Sequence, residues 1–144
     1  MKQVVKRFHE LTVMELYALL KLRFDVFVLE QACFYPELDN CDQEALHVWL
    51  EDEKGITAYL RVMDRGVKNR LVTIGRVVTE KRGCGLGAEV MHAGIAAARD
   101  IFHADQIYIE AQCHAQGFYE KLGFYVVSEP FVEDGIPHVR MLLD

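Results

Sequence analysis

Arg82, Gly83, Gly85 and Gly87 follow directly on a β-branched run, Val77, Val78 and Thr79, and precede a helical, alanine-rich stretch that reaches Arg99. Glycines at a strand-to-helix turn let a ligand approach the backbone without Cβ atoms in the way. The first amides of the helix lack intrahelical partners and carry the positive end of its dipole. The chemistry on offer is capture of a phosphate-type anion, and spacing discriminates among the ligands. A phosphate loop ends in Gly-Lys-Ser/Thr, so that a lysine reaches the phosphates and a hydroxyl holds magnesium; Leu86, Gly87 and Ala88 stand in those places, and that reading fails. The dinucleotide fingerprint is Gly-x-Gly-x-x-Gly with an acidic residue further on. Here the order is Gly-x-Gly-x-Gly, a poor fit although Asp105 lies near the required distance. On spacing alone, another nucleotide site and a plain glycine-rich connection stay open.

A second segment narrows the choice. Tyr108 to Gln112 reads as a buried strand, and Ala115 followed by Phe118, Tyr119, Glu120, Lys121, Leu122, Gly123 and Phe124 reads as a helix closed by a glycine C-cap. Together the Arg82-x-x-Gly85-x-Gly87 turn and the Phe118 to Phe124 segment resemble the two coenzyme-binding motifs of the GNAT N-acetyltransferase superfamily, which binds acetyl-CoA. Leu16, Tyr17, Leu20, Arg23, Val26, Phe27, Glu30, Gln31, Cys33, Tyr35, Asp39, Asp42 and His47, with the ending Asp134 to His138, extend the likeness to the ElaA-like branch and to nearly the whole chain. The link from Val78 to Arg82 is shorter than usual in that branch and lacks the proline common elsewhere in the superfamily.

The resemblance implies an α/β (α+β) fold with a mixed, mostly antiparallel central sheet, a βαβ unit, two splayed parallel strands and flanking helices. It implies that backbone groups of Val77, Val78 and Thr79 pair with the pantetheine arm. Arg82, Gly83, Cys84, Gly85, Leu86, Gly87 and Ala88 would clamp the pyrophosphate, with Gln112, Ala115 and Phe118 completing the coenzyme side. Tyr119 falls where family members place a phenol facing the sulfur; without the resemblance, a tyrosine on an amphipathic helix reads as core. The implied reaction is direct attack by a primary amine of a small molecule or peptide in a ternary complex, and the alternative is a non-catalytic acyl-CoA-binding module.

Such an amine, with a reference pKa of about 10.4, must lose a proton before it attacks. Glu110, His47 and His138 are the candidate bases, each with an ordinary role as a packed or surface residue. Arg23, Glu30, Arg61 and Arg76 are charges inside apolar segments, and such charges need partners or a wet cavity. Arg23, Glu30 and Arg76, with Tyr35 and His138 from the segments that carry the resemblance, are the expected acceptor-side residues, with a structural ion-pair network as the competing account. The acidic run Glu37, Asp39, Asp42 and Glu44 would draw a cationic amine or form a solvated loop.

Composition restricts the remaining classes. The 144 residues are the size of one domain, residues 1 to 144, and 51% hydrophobic content supplies a single core. A net charge of −6 opposes nucleic-acid binding. No segment has the length and apolarity of a membrane span, so a cytoplasmic protein with no membrane partner is expected, a homodimer being possible. Cys33, Cys41, Cys84 and Cys113 show no paired spacing and are read as reduced thiols, and the histidines show no metal-ligand spacing, so no metal is expected. Thr12 as N-cap with Glu15, and Leu11 facing Leu16, start a first helix whose apolar side includes Leu20 and Phe27. His47 to Glu51, Ile56 to Met63 and Arg70 to Thr79 read as an antiparallel meander turning near Gly55 and Gly66. A helix over Gly87 to Arg99 then crosses to a parallel strand at Gln106 to Gln112. A helix from Ala115 and two closing strands near Val126 and Val139 complete the chain.

Overall fold

The computed structural model describes residues Met1–Asp144, and its first element is one that the sequence pattern hides. Lys2–Arg7 forms an edge strand, β1, on which half-buried and exposed positions alternate; its two valines are too short a signal alone, and pairing with the next strand creates it. The first helix, α1 (Val13–Arg23), begins as expected. The Thr12 hydroxyl accepts from the Glu15 amide at 3.0 Å and the Glu15 carboxylate accepts from the Thr12 amide at 2.9 Å. Such a reciprocal cap is worth about 1 kcal/mol. The chain then widens into a π turn over Phe24–Glu30, where the Gln31 amide donates to the Val26 carbonyl at 2.9 Å.

β2 (Ala45–Asp52), β3 (Gly55–Met63) and β4 (Val72–Thr79) form the antiparallel meander. The long helix α2 (Leu86–Phe102) crosses to β5 (Ile107–Gln112), which runs parallel to β4. After the short α3 (Gln116–Lys121) come β6 (Tyr125–Val126), β7 (Phe131–Glu133) and β8 (Ile136–Leu143). The sheet order is β1-β2-β3-β4-β5-β8-β6, with β7 paired to β8 as a further strand not anticipated from sequence. Its eight strands are mostly antiparallel, as expected.

Side-chain alternation divides the core between the two faces. Leu46, Val48, Leu50, Leu60, Val62, Ile107 and Ile109 meet Val90, Met91, Ile95 and Ala98 of α2 on one face. Trp49, Tyr59 and Val78 meet Leu19 of α1 on the other. α1 packs on β3 and β4 and leaves the β5–β8 part of its face open, where a cleft lies.

A buried charge network fastens the chain between α1 and β2 to that open face. Arg23, fully buried, donates from Nε to Glu37 at 2.7 Å and from Nη1 to Asp42 at 2.8 Å. Arg61 donates to the same Asp42 oxygen at 2.9 Å and to Asp39 at 2.9 and 2.5 Å, and Lys68 reaches Asp39 at 2.8 Å. The Arg61 Nε is the one buried side-chain nitrogen or oxygen left without a partner. Burial works against ionisation of Asp42, but the Arg23 and Arg61 guanidiniums hold its carboxyl below the usual carboxylate range. The acidic run is thus mostly a structural clamp. A carboxyl with a depressed folded-state pKa stabilises the fold above its unfolded pKa and loses that contribution as pH falls. Asp42→Ala removes one carboxylate partner from each of two buried guanidiniums. It should cost about 3–5 kcal/mol in urea unfolding at neutral pH, and the deficit should narrow below about pH 4, where the unfolded chain's carboxyl takes up its proton while the folded one stays ionised.

Candidate active site

The site exists because two neighbouring strands part. β4 and β5 pair only at Val72 with Ile107 and at Thr73 with Tyr108, and then separate. Just beyond, β4 carries an extra residue relative to β3: Arg61 faces Gly75, whereas Tyr59 faces Val78. Arg76 sits in this bulge with φ +53°. A bulge bends and twists its strand and reverses which residues face each side. Accordingly Val72 and Ile74 join the α2-side core while Val78 joins the α1 side. A cleft of ≈1390 Å³ opens at the gap. Small-ligand sites span roughly 300–1,000 Å³, so this one has room for a donor and an acceptor together.

At one end of the cleft is the glycine turn. Gly83 and Gly85 both have φ +77°, and Gly85 caps α2 with no side chain bonded to the helix end. The first helical bond runs from the Glu89 amide to the Gly85 carbonyl at 3.2 Å, so the amides of Leu86, Gly87 and Ala88 have no intrahelical acceptor. The glycines have different reasons. A Cβ at Gly83 or Gly85 would meet nothing within 4 Å, so handedness is what requires glycine there; at Gly87 a Cβ would lie 3.2 Å from Cζ of Phe118, so packing requires it. All three line the cleft. Cys84 is exposed, its Sγ lies 3.6 Å from the Arg82 carbonyl, and it does not line the cleft.

The π turn forms a strap over the gap. Glu30 pairs with the Arg82 guanidinium, and Gln31 exchanges amide bonds of 3.2 and 3.4 Å with Gln112 at the end of β5. Glu30, expected on the acceptor side, therefore faces the glycine turn. Gln31 was not assigned a site role from sequence, because nothing local says that a helix end will cross to a strand eighty residues away.

Tyr119 lines the cleft on the α2 side. Gly123, with φ +103°, closes α3: its amide donates to the Glu120 carbonyl at 3.0 Å, and the Phe124 amide to the Tyr119 carbonyl at 3.1 Å. These two hydrogen bonds close the helix, and the second holds the Tyr119 carbonyl. Its ring is held edge-on by Phe118 and Phe124, with centroids 5.0 and 5.9 Å away. Burial pushes the phenol up to about 12, so it stays protonated at neutral pH.

On the α1 side, Glu110 of β5 accepts from the Tyr108 hydroxyl at 2.7 Å. His138 directs Nδ1 to the Ile136 carbonyl at 2.7 Å, and Tyr35 and Arg76 line the same wall. Arg76 bonds Glu37 at 2.8 Å, so it is shared between cleft and network. Two expected residues are absent. His47 is fully buried, receives the Tyr59 hydroxyl at Nδ1 (2.7 Å) and donates from Nε2 to the Asp42 carbonyl (2.8 Å). Both nitrogens are engaged and burial pushes its pKa down, so His47 is a structural residue and not a base. Arg23 is likewise a network residue and not an acceptor contact. Glu133, Tyr108 and Lys68 join the cleft without having been singled out. For Glu133 a signal was present: Asp134-Gly135 is a two-residue hairpin turn with φ of +52° and +75°, which places Glu133 at the tip of β7.

Because the Glu30 carboxylate neutralises Arg82 across the strap, Glu30→Gln should tighten binding of CoA or inorganic pyrophosphate about two- to fivefold, the scale of an exposed ion pair. Arg82→Ala should weaken it. Isothermal titration of both variants checks the pairing, and a Glu30→Gln protein with unchanged affinity would show that the two groups do not compete with the anion.

Comparison with known proteins agrees with the geometry. The family model described as an acetyltransferase (GNAT) domain matches residues 15–144. The chain is 37% identical to a Schizosaccharomyces pombe protein over 98% of this chain and 95% of that one. It is 38% identical to the ElaA protein of Escherichia coli over 92% and 89%. Among solved structures, an acyl-CoA N-acyltransferase from Pseudomonas aeruginosa superposes with a TM-score of 0.93 at 38% identity, covering 100% of both chains. Escherichia coli ElaA superposes at 0.92 with 33% identity over 99% of both. With the splayed strands, the glycine turn and the cleft tyrosine already in place, these likenesses show that the chain belongs to the GNAT acetyltransferase family, in its ElaA-like branch.

Proposed function

We propose that the protein is an acetyl-CoA-dependent N-acetyltransferase acting on a primary amine of a small molecule or peptide. The observation that carries this reading is one cleft in which a helix start with unpaired amides and a desolvated phenol stand at the point where β4 and β5 part. The unpaired amides of Leu86, Gly87 and Ala88, with Arg82, suit a pyrophosphate, and the separated edge of β4 at Val77 to Thr79 suits an extended amide-bearing arm. Bound there, the coenzyme supplies an activated acetyl thioester.

The protein's own groups supply the rest. A β4 amide facing the gap stabilises the negative charge that develops on the acyl oxygen. Tyr119 donates its proton to the departing sulfur, a task for which a phenol held neutral in an apolar pocket is suited. The gap at the α1 face admits the amine.

Incubation with acetyl-CoA and a panel of primary amines, read by free thiol and by the mass of the acetylated product, tests the reading. Amine-dependent thiol release is expected. Tight CoA binding without thiol release over any amine would leave an acyl-CoA-binding module instead. Protection from thermal unfolding by ATP or NAD but not by CoA would overturn both. Tyr119→Phe should lower kcat about 10²-fold while leaving CoA affinity unchanged; an unaltered kcat removes Tyr119 from the reaction.

A further inference from the structure

The α1-side wall of the cleft holds a carboxylate pair that the expected roles do not use in full. Across β5 and β8, Glu110 pairs with Arg140 and Gln112 with His138; across β8 and β7, His138 pairs with Phe131 and Ile136 with Glu133. Side chains alternate along each strand, so Glu110, Glu133 and His138 project from one face. All three line the cleft. The Asp134-Gly135 turn holds Glu133 at the hairpin tip, facing Glu110 two strands away.

The two carboxylates have different surroundings. Glu110 accepts from the Tyr108 hydroxyl at 2.7 Å. Burial acts first on Glu133, then the adjoining Glu110 carboxylate; both raise its pKa, and His138 partly offsets them. His138 is pinned by its bond to the Ile136 carbonyl and stacks on Phe131 at 6.0 Å, and Arg140 is drawn over the Phe131 ring at 4.9 Å. Asp134, next in sequence, adds further negative charge. Two carboxyl groups whose environments differ at one site are suited to different roles in proton transfer.

We propose that Glu133 is the general base of the acetyl transfer, its carboxylate taking a proton from the acceptor's ammonium group while Glu110 holds that cation in place. The proposal rests on the acetyltransferase reading. In the first step an N–H bond of the ammonium breaks and an O–H bond forms on Glu133. The freed nitrogen lone pair then forms the C–N bond to the thioester carbon, and the C–S bond breaks. Tyr119 gives its proton to sulfur and recovers the second nitrogen proton, so the balance is one proton, released from Glu133 to solvent. A pair of carboxylates at the entrance selects acceptors that arrive as cations, ordinary alkyl amines above all.

Glu133→Gln and Glu110→Gln test this with two independent readouts. With the amine that the wild type turns over fastest, Glu133→Gln should lose about 10²-fold in kcat/KM at pH 7. The loss should shrink towards pH 10, where the free amine becomes abundant, with CoA affinity unchanged and Glu133→Asp restoring part of the rate. Glu110→Gln should chiefly raise KM for the amine. Carbon-13 titration of the glutamate carboxyls in the wild type should show one group titrating above the ordinary carboxylate range. It should vanish in Glu133→Gln and move down in Glu110→Gln.

A raised folded-state pKa favours folding only at low pH, and that contribution is lost as pH rises through it. Glu133→Gln should therefore melt no lower than the wild type at pH 7, which separates lost chemistry from lost structure. An active wild type with an unchanged kcat/KM in Glu133→Gln overturns the proposal alone, as does a Glu133 carboxyl that titrates like a surface group. A wild type that releases no thiol with any amine overturns the acetyltransferase reading beneath it.

Discussion

The bulge at Arg76 is the constraint on which the rest depends. A non-glycine residue with φ +53° in the middle of a strand is held against a penalty of ~1–2 kcal/mol, so something must fix it. The Arg76 guanidinium is secured to Glu37 by bonds of 2.8 Å to the carboxylate and 3.1 Å to the backbone carbonyl. The extra residue turns β4 away from β5 after two parallel pairs. Had the ladder continued, the edges of both strands would have bonded each other, and no gap, cleft or exposed β4 backbone would exist.

Glu37 links that bulge to the rest of the molecule. Its carboxylate oxygen Oε2 receives both Arg23 and Arg76, and Arg23 continues through Asp42 to Arg61 and Asp39. The same network positions the chain between α1 and β2, including the strap whose Glu30 and Gln31 reach the glycine turn and β5. One set of ion pairs therefore shapes the gap and sets what lies above it. The cleft has two kinds of wall in consequence: an apolar one on the α2 side, where burial keeps Tyr119 neutral, and a charged one on the α1 side, where Glu110 and Glu133 stand.

Much of this was legible because it is local. The Thr12 cap, the Gly83 to Gly87 turn and the Gly123 closure each depend on residues within a few positions, and local backbone preference was enough to place them. The meander and the crossover helix followed from hydrophobic period. β1 and β7 escaped because their strands are short and become strands only by pairing. Glu133 escaped with β7, although the Asp-Gly turn beside it was a readable signal.

The sequence by itself determined the glycine turn, the Gly123 helix closure and the run from the meander through the crossover helix to β5, since these rest on glycine handedness, capping and period. Only the tertiary structure decided which charges are chemistry and which are scaffold. Arg23 and His47 look like Arg76 and His138 as residue types; burial and partner geometry alone send the first two into the interior and leave the others on the cleft wall. Those properties arise from contacts between segments far apart in the chain, such as Gln31 with Gln112 or Arg23 with Asp42, and no local pattern encodes them.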